Sequence, residues 1–184
     1  MKKSIKNYLH SFLFLVILLF IDQVYGDGDS FEYNQYNNYG IVGTIHTPSA
    51  RTFDEGVHGI TVYYGDPNQT VTLSANPFEW FEASFFYTNV QDRPYCYDFT
   101  SPTCLQDFKD KGFNFKVRLK EQDKLPAIAI GLNDFAGTGL YSSEYIVGSY
   151  GINRTDFHFG LGFGLLDGSD LSFKNPLSYI SDRF

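Results

Sequence analysis

Apolar and polar residues alternate along three segments of the chain, and this pattern restricts its fold more than any other feature. In 112–120 the odd positions are apolar, and the even ones hold Gly, Asn or a basic residue. The segment 155–166 repeats the alternation, and 81–87 does so less regularly. Successive side chains of a strand point to opposite faces, so each segment has one apolar face and one polar or small face. The pattern therefore predicts β-strands.

Four further segments have a weaker strand pattern, and short runs of turn-forming residues separate the seven candidates. The abundance of Phe (19), Tyr (14) and Gly (17) also suits strands joined by tight turns. Helical periodicity is absent after residue 26. We predict an all-β fold, an antiparallel up-and-down meander of about seven strands. The four weaker candidates are 58–65, 70–76, 126–133 and 141–150.

Two features favour an outer-membrane β-barrel over a soluble β-sandwich. The clearest strands have about nine to eleven residues, which is the length that crosses a bilayer at a tilt. Their polar faces carry rows of charges, as a wet lumen would, and their apolar faces are rich in Phe. Short connections also alternate with long ones. A soluble periplasmic β-sandwich that acts as a carbohydrate-binding module is the alternative.

About seven strands cannot close a barrel by themselves. An edge strand in lipid would leave backbone N–H and C=O groups unpaired. The C-terminal stretch 172–184 does not alternate well enough to supply a closing strand. We therefore interpret 40–184 as a barrel domain whose closure is incomplete, the N-terminal part of a longer one.

The first 26 residues have the three parts of a signal peptide. Lys2, Lys3 and Lys6 precede an apolar run, 12–21, and small or modest residues lie before a cut ahead of Asp27. The apolar run is about half the length of a membrane-spanning helix. No Cys lies near the cut, so no lipid anchor is expected. Residues 27–39, rich in Asn, Asp and Tyr, are predicted to be a disordered lead-in.

Charge and cysteine usage agree with export to the outer membrane. The net charge is −7 and becomes more negative once the signal is removed, which argues against a nucleic-acid partner. Cys96 and Cys104 are the two cysteines, and in an oxidising compartment such a close pair predicts a disulfide in a long outer loop. Metal binding and two free thiols are the alternatives; no His lies nearby.

The remaining polar residues predict no enzyme, cofactor or metal site. Glu82, Lys116, Arg118 and Glu144 are interpreted as compensating charges in the lumen, with contact to a polar polymer as the functional alternative. Glu82 is expected to face Arg118 or Lys120, and replacement of Lys116 by Gln is expected to cost little. An enzyme acting on exported glycan would need Glu82 and Glu144 to converge.

The run 134–139 (DFAGTG) is the most unusual stretch of the chain. It could contact carbohydrate or gate a channel, with Asp134 and Thr138 as hydrogen-bonding groups and Phe135 as a stacking surface. A β-turn whose glycines adopt positive φ is the favoured interpretation.

Several stretches, in order along most of the chain after the signal, resemble YjbH-like proteins. The resemblance implies an outer-membrane β-barrel linked to exopolysaccharide or capsule biosynthesis and export, in a longer chain. It implies as partners outer-membrane lipid, exopolysaccharide and other secretion-system proteins. It supplies no catalytic residues. The stretches are GIVGTIHTPSAR (40–51), DEG (54–56), NPFEWFEA (76–83), DKGF (110–113), GLNDFAGTGL (131–140), SSEY (142–145) and GLGFG (160–164).

Overall fold

The computed structural model describes residues 34–95, 106–152, 155–166, 175 and 179, with the backbone alone at residue 92. Within them, nine β-strands form two antiparallel sheets. No helix in these ranges has the length and apolar character to cross a membrane. The strands are β1 (Gly43–Thr44), β2 (Thr47–Pro48), β3 (His58–Tyr64), β4 (Asn68–Phe78), β5 (Phe81–Tyr95), β6 (Gln106–Lys120), β7 (Ala127–Phe135), β8 (Ser143–Ile152) and β9 (Thr155–Gly164).

The main sheet confirms the predicted meander. Its seven strands lie in the order β3-β4-β5-β6-β7-β8-β9, each antiparallel to the next along the chain. Among the described residues β3 and β9 do not pair with each other, so the sheet is not closed. This agrees with the all-β class and the incomplete closure expected from the sequence.

Strands β5 and β6 are longer than the alternation predicted. Each has 15 residues, and they take up both ends of the stretch 90–111 that was expected to be a loop. Their pairing is interrupted by a register shift between Val90 and Pro94. Such irregularity removes the clean alternation by which these strand ends could have been recognised. The predicted Cys96–Cys104 disulfide lies outside the described residues and stays a prediction.

The two faces of the main sheet have the reverse of the usual burial in a water-soluble protein. The polar and small face is buried, with Thr72, Ser74, Ser84, Asn114 and Lys116 all at or below 4% exposure. On the opposite face large apolar side chains are exposed, among them Val62 at 73% and Leu161 at 71%. A soluble domain buries its apolar face, because removal of that surface from water is its main source of stability. Others exposed on this face are Ile60, Leu73, Phe113, Leu119, Ile130, Ile146, Phe157 and Phe159.

The main sheet curves strongly, with the polar face on the concave side. The Tyr141 hydroxyl, in the β7–β8 connection, donates to Asn68 Oδ1 at the start of β4, at 2.7 Å. In a flat sheet β4 and β7 would be about 14 Å apart, three strand spacings. The Tyr141 and Asn68 side chains meet because the curvature of the sheet brings the β7–β8 connection toward the start of β4.

The stretch 34–54, here named the inner segment, lies on that concave face. It contains the small β1–β2 hairpin. Its Ala50 N–H donates to Ser149 Oγ of β8 at 2.8 Å. Its Thr52 hydroxyl donates to Glu79 O, between β4 and β5, at 2.6 Å. At one end Arg51 pairs with Asp156 of β9 at 2.9 Å. The inner segment therefore supplies the groups that bury the polar face.

The inner segment includes part of the stretch that was expected to be a disordered lead-in. Residues 34–39 have defined backbone partners: Tyr36 forms a β-bridge with Val42, and the Asn37 side chain accepts from Tyr39 N–H at 2.9 Å. The Asn37 side chain also accepts from Ile41 N–H, so it satisfies backbone groups of the segment, as Asn commonly does in turns.

Candidate functional site

A buried ion pair lies at the centre of the concave face. Glu82 of β5 and Lys116 of β6 are directly opposite in the strand register. Lys116 Nζ is 2.5 Å from Glu82 Oε2, and both side chains are completely buried. Two charges removed from water are stable together only where their attraction and further hydrogen bonds offset the loss of hydration.

The backbone of Val42 supplies those further hydrogen bonds. Val42 N–H donates to Glu82 Oε1 at 2.8 Å, and Lys116 Nζ donates to Val42 O at 2.9 Å. The carboxylate therefore binds the one donor of this residue and the ammonium binds its acceptor. We name this arrangement of Glu82, Lys116 and Val42 the clamp. It attaches the middle of the inner segment to the concave face of the main sheet.

Two tyrosines adjoin the clamp. Tyr145 of β8 lies in the same cross-strand row as Glu82 and Lys116, with Gly131 of β7 between them. Tyr36 comes from the inner segment, and burial, aided by the negative charge of Glu82, raises the pKa of its phenol to about 12. Within the described residues neither phenol oxygen has a hydrogen-bond partner. Tyr36 therefore stays neutral beside the buried ion pair.

Gly131 is required by this packing. A Cβ built there would lie 2.1 Å from Tyr145 Cζ, whereas one at Gly148 of the neighbouring strand would meet nothing closer than 3.7 Å. We expect Gly131→Ala to lower the free energy of unfolding by about 1–3 kcal/mol, because the buried Tyr145 ring must move. The matched Gly148→Ala should have a much smaller effect. Urea unfolding of the two variants tests this, and equal losses would contradict it.

The charges predicted beside Glu82 occupy other positions. Arg118 has its side chain 16% exposed and lies 3.7 Å from Glu121, and Lys120 pairs with Asp123 at 2.7 Å. The sequence placed Glu82 within reach of Arg118 or Lys120, and in the structure its ion-pair partner is Lys116. The prediction that Lys116→Gln costs little assumed a wet lumen, whereas this side chain is buried and bonded, so we now expect a larger cost.

Asp134 has a structural position rather than an exposed one. It has φ +56°, and it is fully buried. Its Oδ2 accepts from Tyr141 N–H at 3.1 Å, while its own N–H donates to Asn114 Oδ1 at 3.0 Å. A Cβ at Gly137 would lie 1.7 Å from Asp134 Oδ1. The turn interpretation of the DFAGTG run expected glycines with positive φ: Gly139 has φ +83°, and the other positive values in the run are at Asp134 and Ala136.

Phe135 and Glu144 are both on the apolar face, away from the clamp. The Phe135 ring packs edge-on against Phe115, with centroids 5.6 Å apart. Glu144 is opposite Leu132 and Phe163 in the register, and it accepts from Asn175 Nδ2 at 2.8 Å. Glu82 and Glu144 therefore lie on opposite faces of the sheet and do not converge. Of the six predicted polymer-contact residues, Glu82 and Lys116 are the two that the structure brings together.

The clamp, Tyr36 and Tyr145 can bind and orient a backbone segment. In the described ranges no three His, Cys, Asp or Glu side chains are grouped so that they could hold a metal ion. The alternation of the strands assigned Glu82 and Lys116 to one face, but no sequence signal indicated Val42. The small residues Ala127, Ala129 and Gly131 on the inner face of β7 are the signal that was available, because they leave space for a second layer.

These features define a class of protein: an antiparallel β-meander with a polar concave face, an apolar convex face and its own N-terminal segment on the polar side. The chain belongs to the YjbH family. A family model described as "Exopolysaccharide biosynthesis protein YbjH" matches residues 35–184, which confirms the resemblance stated above. The family is thus one related to exopolysaccharide biosynthesis.

A curated relative from Escherichia coli (strain K12), named "Uncharacterized lipoprotein YjbH", is 37% identical over 149 residues. The match covers 80% of this chain and 21% of the relative, so the chain spans about a fifth of the length of that protein. No solved structure matches the chain.

Proposed function

We propose that the chain forms part of an outer-membrane β-barrel that assists exopolysaccharide or capsule biosynthesis or export. The observation that carries the proposal is the reversed burial of the main sheet. Its apolar face is exposed over every strand from β3 to β9, while its polar face is buried. Lipid is the surrounding in which such a face is stable, and closed barrels are the β-structures that span it.

The polar concave side is the side that would meet the polymer. It carries Asn, Ser and Thr side chains around the clamp, and these groups hydrogen-bond without forming covalent bonds. We therefore propose non-covalent handling of a polar polymer rather than catalysis. Export through a signal peptide at 1–26 belongs to the proposal. The relative from Escherichia coli is named a lipoprotein, which supports a location in the cell envelope.

A soluble periplasmic β-sandwich is less well supported. A sandwich packs the apolar faces of two sheets against each other. In the described part of the chain the second sheet, β1–β2, belongs to the inner segment, which contacts the polar face. The large apolar side chains on the other face remain exposed.

Spin labels along β6 distinguish the two architectures. With the full chain reconstituted in phospholipid vesicles, labels at Phe113, Phe115 and Val117 should be relaxed by oxygen, which is lipid-soluble. A label at Lys111, on the convex side but just outside the apolar convex positions 113–119 of β6, should show less oxygen effect and more from a water-soluble nickel chelate. Electron paramagnetic resonance measures both accessibilities.

The register gives matched controls. Labels at Leu73 of β4 and Ile130 of β7 lie on the same convex face and should repeat the pattern of Phe115. If labels at Phe113 and Phe115 were shielded from both reagents, a second protein layer would cover this face and the barrel proposal would fail. If they responded only to the nickel chelate, the face would be in water and the proposal would also fail.

A further inference from the structure

A cavity of mixed aromatic and polar lining, separate from the clamp, lies on the concave side. Its volume is about 440 Å³, within the range of roughly 300–1,000 Å³ typical of small-molecule sites. It is lined by the inner segment on one side and by strands β3 to β6 and the β7–β8 connection on the other. The β3–β4 turn and the β7–β8 connection both lie at this end of the sheet, as the Tyr141–Asn68 bond requires.

Aromatic rings form two walls of the cavity. On one side the His46 ring lies between Tyr39 and Tyr63, with centroid distances of 5.8 Å and 6.4 Å. On the other side Phe86 and Tyr141 meet edge to face at 5.9 Å. These contacts hold the rings in fixed orientations, so they offer preorganised apolar surfaces rather than mobile ones.

Between the aromatic walls the lining has hydroxyl and amide groups, together with Leu165 and Leu166. The Thr70 and Thr88 hydroxyls are hydrogen-bonded to each other at 2.8 Å, and Tyr141 holds Asn68. Asn38 is bonded to the His46 ring at 3.3 Å. A hydroxyl or amide has more than one hydrogen-bonding position, so groups held by one such bond can still bond to a ligand.

Among the residues that the structure describes, the lining includes no Lys, Arg, Asp or Glu. Burial is the largest cause that raises the pKa of the Tyr141 phenol to about 12; Asp110, Tyr39 and Asp134 raise this pKa further, and Arg93 acts against them. The phenol is therefore a neutral donor. An anionic ligand would meet no fixed cation among the described lining residues, and the carboxylates of Asp110 and Asp134 lie near it.

We propose that this cavity binds one or two neutral sugar units of a glycan. A pyranose ring has apolar C–H faces that pack on aromatic rings and hydroxyls that pair with Thr, Asn and Tyr groups, which is the combination found here. The inference rests on the proposed function and narrows it, because it gives the polymer a neutral segment and a place on the concave face. It does not depend on the clamp.

Sugar titration of the full chain tests the cavity directly. The protein, with its tyrosine rings isotopically labelled, is titrated in detergent micelles with maltose, cellobiose, methyl galactoside, methyl mannoside and glucuronate. At least one neutral sugar should shift the ring signals of Tyr39, Tyr63 and Tyr141. The signal of Tyr64, which is 79% exposed on the other face, should not move, and glucuronate should have no effect.

Neighbouring tyrosines supply a matched pair of variants. Tyr63→Leu should weaken the neutral sugar by about tenfold or more, and Tyr64→Leu, one residue along the same strand, should leave its Kd unchanged. If Tyr63→Leu does not fold, the ring shifts in the unchanged protein still decide the matter. Shifts at Tyr64 alone, or no binding of any neutral sugar, would overturn the inference, and so would glucuronate binding with equal affinity. Protein that gives the barrel pattern with spin labels yet binds no sugar would overturn this inference alone.

Discussion

Replacement of Lys116 by Met is expected to destabilise the folded chain by about 3–5 kcal/mol, the usual cost of removing one partner from a buried ion pair. Glu82 would keep its charge without a counter-ion, and Val42 O would lose one of its donors, keeping those from Ser49. Urea unfolding in phospholipid vesicles can measure the loss, with fluorescence of the single tryptophan, Trp80, as the probe.

The same strand offers a control for charge and side-chain length. Lys111 is exposed on β6, so Lys111→Met should change the unfolding free energy by about 0.5 kcal/mol or less. A loss at Lys116 no larger than that at Lys111 would show that the buried pair does not hold the fold.

Exchange of the two charges tests whether the hydrogen bonds to Val42 contribute to stability beyond the ion pair itself. The double variant Glu82→Lys, Lys116→Glu keeps both charges on opposite strands. It would place an ammonium near Val42 N–H and a carboxylate near Val42 O. A donor would then face a donor, and an acceptor would face an acceptor. We therefore expect no recovery of stability in the double variant. Recovery to the level of the unchanged protein would mean that the bonds to Val42 contribute little.

Arginine on the convex face is expected to give the second large effect. At Phe115 it should lower the stability in vesicles by about 2–4 kcal/mol, because a guanidinium would be buried near the middle of the lipid layer. At Leu119, on the same face but next to the end of β6, the cost should fall to about 0–1 kcal/mol. The same unfolding assay measures both.

The expected difference in stability cost between Arg at Phe115 and Arg at Leu119 depends on lipid and not on the fold alone. If the convex face were in water, Arg at Phe115 would remove an apolar group that is already exposed and would cost little. If a second sheet covered the face, the cost would follow packing around each site rather than distance from the strand end. Equal costs at Phe115 and Leu119 would therefore contradict the membrane assignment.

The sequence was sufficient to predict the fold class because alternation depends on local geometry. Once Phe113 and Phe115 are apolar and Asn114 and Lys116 are polar, the strand has two distinct faces whatever its partners are. The extensions of β5 and β6 lacked this alternation, which is why their ends were assigned to a loop. The burial of the inner segment was also not predictable, because 34–54 has no periodic pattern and its bonds to the clamp use the backbone of Val42.

For the site, the sequence predicted which side chains share a face of the sheet but not which of them are partners. Glu82 and Lys116 were assigned to one face correctly, but the expected partners of Glu82 were two or four residues away. A shift of two residues keeps the facing of every side chain, so alternation cannot distinguish these registers. Glu144 was assigned to the wrong face because it lies between buried Ser143 and Tyr145, where the pattern of β8 has no clear phase.

The position of the inner segment also has a consequence for the order of assembly. Residues 34–54 precede every strand of the main sheet in the chain, yet they lie inside the curve that those strands make. A sheet that curved without them would bury Glu82 and Lys116 with no backbone groups to bond. We therefore expect the inner segment to help the later strands take their curvature, so deletion of 34–54 should impair insertion of the sheet itself.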